Sequence, residues 1–313
     1  MAHEPLGAQS VLGADVPNVP PPPARPTKTP FFEAVNASRY QRQTAIRDIQ
    51  DLTGRRLICY VSGRNTSIQR EDTVGFMDLL HNVQPSSDVD LLLHTGGGDI
   101  DAAEKLISMV RRKVRNAQLR VVVPDYAKSA GTLMALGADA IVMSDSSELG
   151  PIDPQVVLTD CNGNRVQQSV QNYLDAYENH SKLLAENPAN MTAQIMLNKL
   201  DPTMVELFKN IVNRARHLAE DHLKMGMFRE KGGNWTAAVT SLLDIHRWQS
   251  HGQMISWEDA QSPILGLTIE YLDPKDPVWQ RYWQLHCLQR LSIMDSQKLF
   301  ESDYVSLLID GGH

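Results

Sequence analysis

Little in this chain invites a covalent or metal-held framework. Its 313 residues include only 3 cysteines, Cys59, Cys161 and Cys287, far apart and odd in number. They form no CxxC pair and no disulfide ladder, which points to a reducing compartment. His217 and His222 are not at HExxH spacing, and His246 and His251 have no carboxylate at ligand spacing, so no metal is expected. Cationic excess is missing as well. With 30 basic and 37 acidic side chains the formal charge is −7, which gives no electrostatic reason to hold nucleic acid or an anionic membrane. No run approaches the roughly 18 apolar residues that span a bilayer. Met1-Ala-His-Glu-Pro5 carries no basic segment followed by an apolar one, and no GxxxxGK[ST] phosphate loop occurs. A cytoplasmic protein without a membrane span is the expectation.

What remains is an ordinary globular balance, 42% hydrophobic and 21% charged. Residues 1–30 are the exception. Pro17, Pro20 to Pro23, Pro26 and Pro30 remove amide donors and fix φ, so this segment reads as a disordered, extended tail. Beyond it, short apolar runs alternate with amphipathic ones. Arg56 to Ser62, Val89 to His94, Leu119 to Val123 and Asp139 to Met143 read as buried strands. Gln69 to Val83, Ile100 to Arg115 and the small-residue stretch Ser129 to Gly137 read as the helices between them. Such alternation calls for an α/β layer fold with a largely parallel sheet. Residues 167–228 read as predominantly helical, with breaks near Asn187-Pro188 and Asp201-Pro202. We divide the chain into a tail (1–30), a catalytic domain (31–230) and a C-terminal extension for packing or oligomerisation (231–313).

Two strand-to-helix turns carry residues suited to chemistry. Gly96-Gly-Gly98 follows one strand and precedes a helix. Glycine admits positive φ and leaves amide N–H groups uncovered, which suits an oxyanion or a phosphate. Ser129 opens the next helix, among Ala127, Ala130 and Gly131. A serine there is either a helix N-cap or a nucleophile. If the two strands are parallel neighbours, both turns lie at one sheet edge. A hydroxyl beside preorganised N–H donors is then the arrangement that acyl transfer requires.

Four ordered motifs make the resemblance specific. They are His94-Thr-Gly-Gly-Gly-Asp-Ile100, Ala127-Lys-Ser-Ala-Gly131, Ala138-Asp-Ala-Ile-Val-Met143 and Leu149-Gly-Pro-Ile-Asp-Pro-Gln155, with His251-Gly-Gln-Met-Ile255 further on. Together they resemble the serine dehydrogenase proteinase family, related to signal peptide peptidase A and more distantly to the proteolytic subunit of Clp protease. The resemblance implies a Clp/crotonase-like spiral of β-β-α units with a helical C-terminal extension. It implies Ser129 as nucleophile of a serine peptidase, with the amides of Gly97 or Gly98 and of Ala130 as oxyanion hole. Lys128, next to the nucleophile, is expected to point elsewhere.

The general base is left open by these residues. Clp relatives place a histidine about where this chain has Asp153, which we assign to loop support. Signal-peptide-peptidase relatives use a downstream lysine, and here Lys199 and Lys182 occupy comparable places. Either serves only if burial lowers its pKa. The expected enzyme is an ATP-independent serine endopeptidase of Ser-Lys type, acting on peptide or protein, needing no cofactor and assembling as a homo-oligomer. Two rivals stand beside it: an acyl-CoA hydratase or hydrolase of the crotonase kind, and a catalytically silent scaffold that binds peptides.

Overall fold

A computed structural model describes residues 28–159, 162–229 and 234–311. The chain divides into two units, 1–37 and 38–313. In the first, the described residues form one short helix, α1 (Pro30–Val35), begun by a proline and by Thr29, whose hydroxyl accepts from the Phe32 amide at 3.4 Å. All of the proline-rich segment but its last three residues, 28–30, lies outside the described residues.

The second unit follows the alternation read from the sequence. In chain order come α2 (Ala37–Thr53), β1 (Arg56–Ser62), α3 (Thr73–His81), β2 (Val89–His94), α4 (Ile100–Val114), β3 (Leu119–Val122), β4 (Tyr126–Ala127), α5 (Ala130–Leu136), β5 (Ala140–Met143) and β6 (Glu148–Leu149). A hairpin, β7 (Gln155–Thr159) with β8 (Arg165–Ser169), leads to α6 (Val170–Glu186), α7 (Met191–Leu197) and α8 (Pro202–Met225). The chain then runs through α9 (Trp235–Leu243), α10 (Ile245–Trp248), α11 (Trp257–Gln261), β9 (Ile269–Tyr271), α12 (Pro277–Arg290), β10 (Gln297–Glu301) and β11 (Ser306–Asp310).

Seven strands make the main sheet, ordered β11-β10-β1-β2-β3-β5-β9. The five from β1 to β9 pair in parallel, while β10 and β11 run antiparallel at one edge. Every residue of β2 is buried, because helices cover both sheet faces, and a strand so covered becomes a continuous apolar run. Alternate side chains of β1 go to opposite faces. Ile58 and Tyr60 join the core beneath α3, α4, α5 and α8, whereas Leu57, Cys59 and Val61 meet Ile46 and Ile49 of α2 and Trp279, Tyr282 and Leu285 of α12.

Past the sheet's C-terminal edge, β1, β2, β3 and β5 are each followed by a short second strand or bridge. Gly98 bridges to Ile68, Thr95 to Ala127, and β4 pairs with β6, all in parallel; Leu149 then bridges to Ile255 in the antiparallel sense. This row of short strands makes each repeat a β-β-α unit, and its ends carry the residues of interest.

Residues 231–313 supply helices α9 to α12 and also three strands of the main sheet. Their strand character is hidden in the sequence because β10 contains buried charges. Lys298 reaches Asp72 at 2.7 Å, and Glu301 takes Arg42 at 2.9 Å. Among the described residues no helix is long and apolar enough to cross a membrane.

Candidate active site

Positive φ values at Gly97 (+106°) and Gly98 (+148°) bend the chain sharply between β2 and α4. Space matters as much as dihedral freedom. A Cβ on Gly97 would lie 2.8 Å from the Lys128 carbonyl oxygen, 2.9 Å from Ser129 Cβ and 3.2 Å from the Ala130 nitrogen. One on Gly98 would run into the Ile68 backbone. The glycine loop and the turn before α5 therefore meet, as the parallel pairing of β2 and β3 requires.

The amides of that loop divide their duties. Gly97 N–H donates to Thr95 Oγ1 at 3.2 Å. The Gly97 carbonyl accepts from Ile68 N–H at 2.8 Å, and Asp99 N–H donates to the Ile68 carbonyl at 3.0 Å. Among the described residues, the amides of Gly98 and Ala130 have no acceptor. Of the two glycines read as oxyanion donors, Gly98 is thus the one whose N–H is uncommitted.

Ser129 occupies the N-cap position of α5, but its side chain makes no capping hydrogen bond. Its backbone sits at φ +52°, ψ −116°, unusual for a residue with a Cβ. A conformation of this kind costs about 1–3 kcal/mol and persists only where the surroundings hold it. Here the Lys128 amide donates to the Thr95 carbonyl at 3.0 Å, Gly131 N–H to the Lys128 carbonyl at 2.7 Å, and Leu133 N–H to the Ser129 carbonyl at 3.1 Å. The Thr132 hydroxyl, fully buried, lies 2.7 Å from the Ala127 carbonyl and accepts from Gly150 N–H at 3.0 Å. Lys128 turns away as expected, its Nζ reaching the carbonyls of Leu149 (3.0 Å) and Gln253 (3.2 Å) and the Glu148 carboxylate (2.9 Å).

Asp153 has a partner that the sequence reading did not assign to it. Its buried carboxylate accepts from His251 Nδ1 at 2.7 Å and from Gln155 Nε2 at 2.6 Å. A carboxylate acceptor at Nδ1 places the ring proton there and leaves Nε2 with its lone pair. Strand register explains the meeting. Leu149 opposes Ile255 in the antiparallel sense, so carrying that register four residues past β6 brings 153 level with 251. β4 runs parallel to β6 with Ala127 beside Leu149, which puts Ser129 at the same end of the row. The signal was the pair of motifs Gly150-Pro-Ile-Asp153 and His251-Gly-Gln, 98 residues apart. A cleft of about 420 Å³ opens on the His251 flank, walled by Asp153, Gln155, Gln167, Gln168, Asn172 and His246; Ser129 lies outside its wall.

The two lysines do not meet the condition set for them. Lys182 lies exposed on α6, and Lys199 lies exposed in the turn after α7. Neither makes an ion pair or hydrogen bond with Ser129, Asp153 or His251 among the described residues.

A model of ClpP-like SDH-type serine proteinases matches residues 39–236. The chain belongs to this family. The match takes in the glycine loop, Ser129 and Asp153, and ends before His251. Among related chains, the uncharacterized protein MJ0137 of Methanocaldococcus jannaschii is 28% identical over 206 residues, covering 66% of this chain and 62% of that protein's length. This chain thus spans less than two thirds of that relative. Among solved structures, a serine-to-alanine variant of the 1510-N membrane-bound stomatin-specific protease aligns with a TM-score of 0.41 and 15% identity, covering 69% of this chain and 80% of that one. ClpP1 from Listeria monocytogenes aligns with a TM-score of 0.38 and 11% identity, covering 73% and 98%.

Proposed function

We propose that this member of a serine proteinase family hydrolyses peptide bonds through an acyl-enzyme on Ser129, with His251 as general base and Asp153 as its orienting carboxylate. The observation that carries the reading is the 2.7 Å bond from His251 Nδ1 to a buried aspartate, at the end of the short-strand row where Ser129 opens α5. Ser129 Oγ attacks the scissile carbonyl while its proton passes to His251 Nε2. The amides of Gly98 and Ala130 stabilise the oxyanion, and the imidazolium then protonates the leaving amine. Water, deprotonated by the same nitrogen, attacks the ester and releases the acid and free Ser129. Asp153 keeps the ring in one tautomer. A lysine base has less support, since Lys182 and Lys199 lie exposed whereas His251 is held by a buried aspartate.

Peptide hydrolysis by this route uses no nucleotide, metal or organic cofactor. We also read the enzyme as a homo-oligomer. Met191, Ile195 and Met196 of α7 and Leu207 of α8 are 66%, 52%, 42% and 49% exposed, and a neighbouring copy would cover them. Light scattering of the purified full chain tests that point, and a monodisperse monomer would remove it.

The central experiment is intact-mass spectrometry after fluorophosphonate treatment, paired with peptide turnover. Wild type is expected to gain one adduct at Ser129. His251→Gln should lose most of the labelling rate, while Lys182→Ala and Lys199→Ala keep it. Loss in one lysine variant with retention in His251→Gln would replace histidine by that lysine. Hydrolysis of a thioester without peptide turnover would favour the acyl-CoA reading, and an unreactive serine with measurable peptide binding would favour the scaffold.

A further inference from the structure

Behind the glycine loop lie two imidazoles whose nitrogens lack partners. His94, the last residue of β2, is fully buried, and among the described residues neither its Nδ1 nor its Nε2 has a hydrogen-bond partner. His286 of α12 is 3% exposed, and its Nδ1 is likewise unpartnered. The two ring centroids are 4.7 Å apart, and Tyr126 covers His94 at 4.1 Å. From the turn after β3, Asp125 brings Oδ2 to 3.7 Å from His94 Nδ1. One ligand atom from each of the three residues lies within 4.8 Å of the other two.

Unpaired buried nitrogens are costly, and protein interiors tolerate few of them. One nitrogen from each ring converges with an Asp125 oxygen, and a cation there would take the lone pair of both. Each ring is held in the interior and can offer one nitrogen as a ligand. Two imidazoles and one carboxylate are a ligand set for zinc or a neighbouring transition metal, with hard oxygen-seeking ions disfavoured.

We propose that His94, Asp125 and His286 bind one divalent transition-metal ion, zinc by ligand chemistry, as a structural clamp behind the glycine loop. His94 directly precedes Thr95-Gly-Gly-Gly98, and Asp125 directly precedes β4, which leads to Ser129. The ion would thus fasten both turns to α12. Asp125, with its side chain 41% exposed, provides the entry side and leaves a fourth position to solvent. Zinc bonds of about 2.0–2.1 Å require the donors to draw in by roughly an ångström. Arg290 is the opposing charge; its guanidinium donates to the Ser62 carbonyl at 3.3 Å. Nothing here depends on which residue serves as base for Ser129.

The test is equilibrium dialysis of the chelator-stripped full chain against Zn²⁺, with metal content by mass spectrometry and a Co²⁺ visible spectrum. Wild type should hold about one ion per chain, and the cobalt form should show the strong ligand-field bands of a low-coordinate site. Asp125→Asn, at a partly exposed position, and His286→Gln should each weaken binding about tenfold or more, with unchanged circular dichroism. Zinc should raise the melting temperature of wild type and leave that of Asp125→Asn unmoved. His246→Gln and His251→Gln should keep the ion. Absence of binding by wild type, retention by both Asp125→Asn and His286→Gln, or loss in His251→Gln would each overturn the assignment.

Discussion

The two halves of the candidate site are built in opposite ways. The nucleophile half comes from two consecutive β-α turns. Its backbone is locked by short-strand bridges, and every position is dictated by close approach, as Gly97 against Lys128 and Ser129 shows. The base half joins residues 98 apart in the chain by one side-chain bond, between a buried Asp153 and a half-buried His251. The first half is fixed by main-chain contacts between neighbouring turns, the second by a long-range bridge and the side-chain bond that it allows. A change in the first half therefore acts through placement, whereas a change in the second acts through protonation.

The largest effect should come from the point where the halves act together. Ser129→Ala is expected to lower kcat/KM for a peptide by roughly 10⁴-fold or more, with binding of uncleaved peptide preserved. His251→Ala should approach that loss, and the double variant should be little worse than Ser129→Ala alone, since residues acting as a unit are strongly non-additive. Additive losses in the double variant would separate His251 from the serine. Asp153→Asn comes next. It preserves shape, but its amide no longer fixes the Nδ1 proton, and a fall of about 10²- to 10⁴-fold in kcat with little change in KM is expected. An unchanged kcat would reduce Asp153 to a turn residue.

Most of the first half is legible from sequence because its causes are local. Glycines between a buried strand and a helix, a serine among small residues, and alternating apolar runs each state their geometry within a few positions. The limits of β1 and β2 coincide with their apolar runs. Whether Ser129 caps α5 is not legible from its neighbours; in the fold it makes no capping bond. The second half is opaque for the complementary reason. Nothing near His251 in the chain indicates that a bridge from Leu149 to Ile255 sets it opposite Asp153. Lys182 attracts notice by chain distance from Ser129 and Lys199 by its turn before the long helix, and neither says anything of burial. β10 escapes a pattern reading because Lys298 and Glu301 break its apolar character, and each finds its ion-pair partner over two hundred residues away.

A smaller effect tests the placement half directly. Gly97→Ala forces a side chain into positive φ and against the Lys128 carbonyl and Ser129 Cβ. The expected cost is about 1–3 kcal/mol in stability. Displacing the adjoining Gly98 amide should also reduce kcat about tenfold to a hundredfold. A stable, fully active Gly97→Ala would mean that the loop and the serine turn are less tightly apposed than their contact distances state.

The smallest effect concerns what holds the nucleophile helix from behind. His222 of α8 is buried, its Nδ1–H donates to the Leu133 carbonyl of α5 at 2.8 Å, and its Nε2 has no partner among the described residues. Burial lowers its pKa from the ordinary 6.5, although the bond to Leu133 works the other way. Above about pH 6.5 the ring is neutral in folded and unfolded chains alike, and its contribution to stability is complete. As pH falls below that value, the unfolded chain takes up a proton that the folded chain resists, so stability declines until the folded value is passed. One such group contributes at most about 1.4 kcal/mol per pH unit. Urea midpoints at about pH 7.5 and about pH 5, compared between wild type and His222→Gln, isolate it from other titrating groups. The variant, whose amide can still donate to Leu133, should be less stable at the higher pH yet lose less on acidification. Equal acid losses in the two proteins would mean that the His222 ring already admits a proton in the folded state, and that α5 is held by packing against α8 rather than by a neutral imidazole.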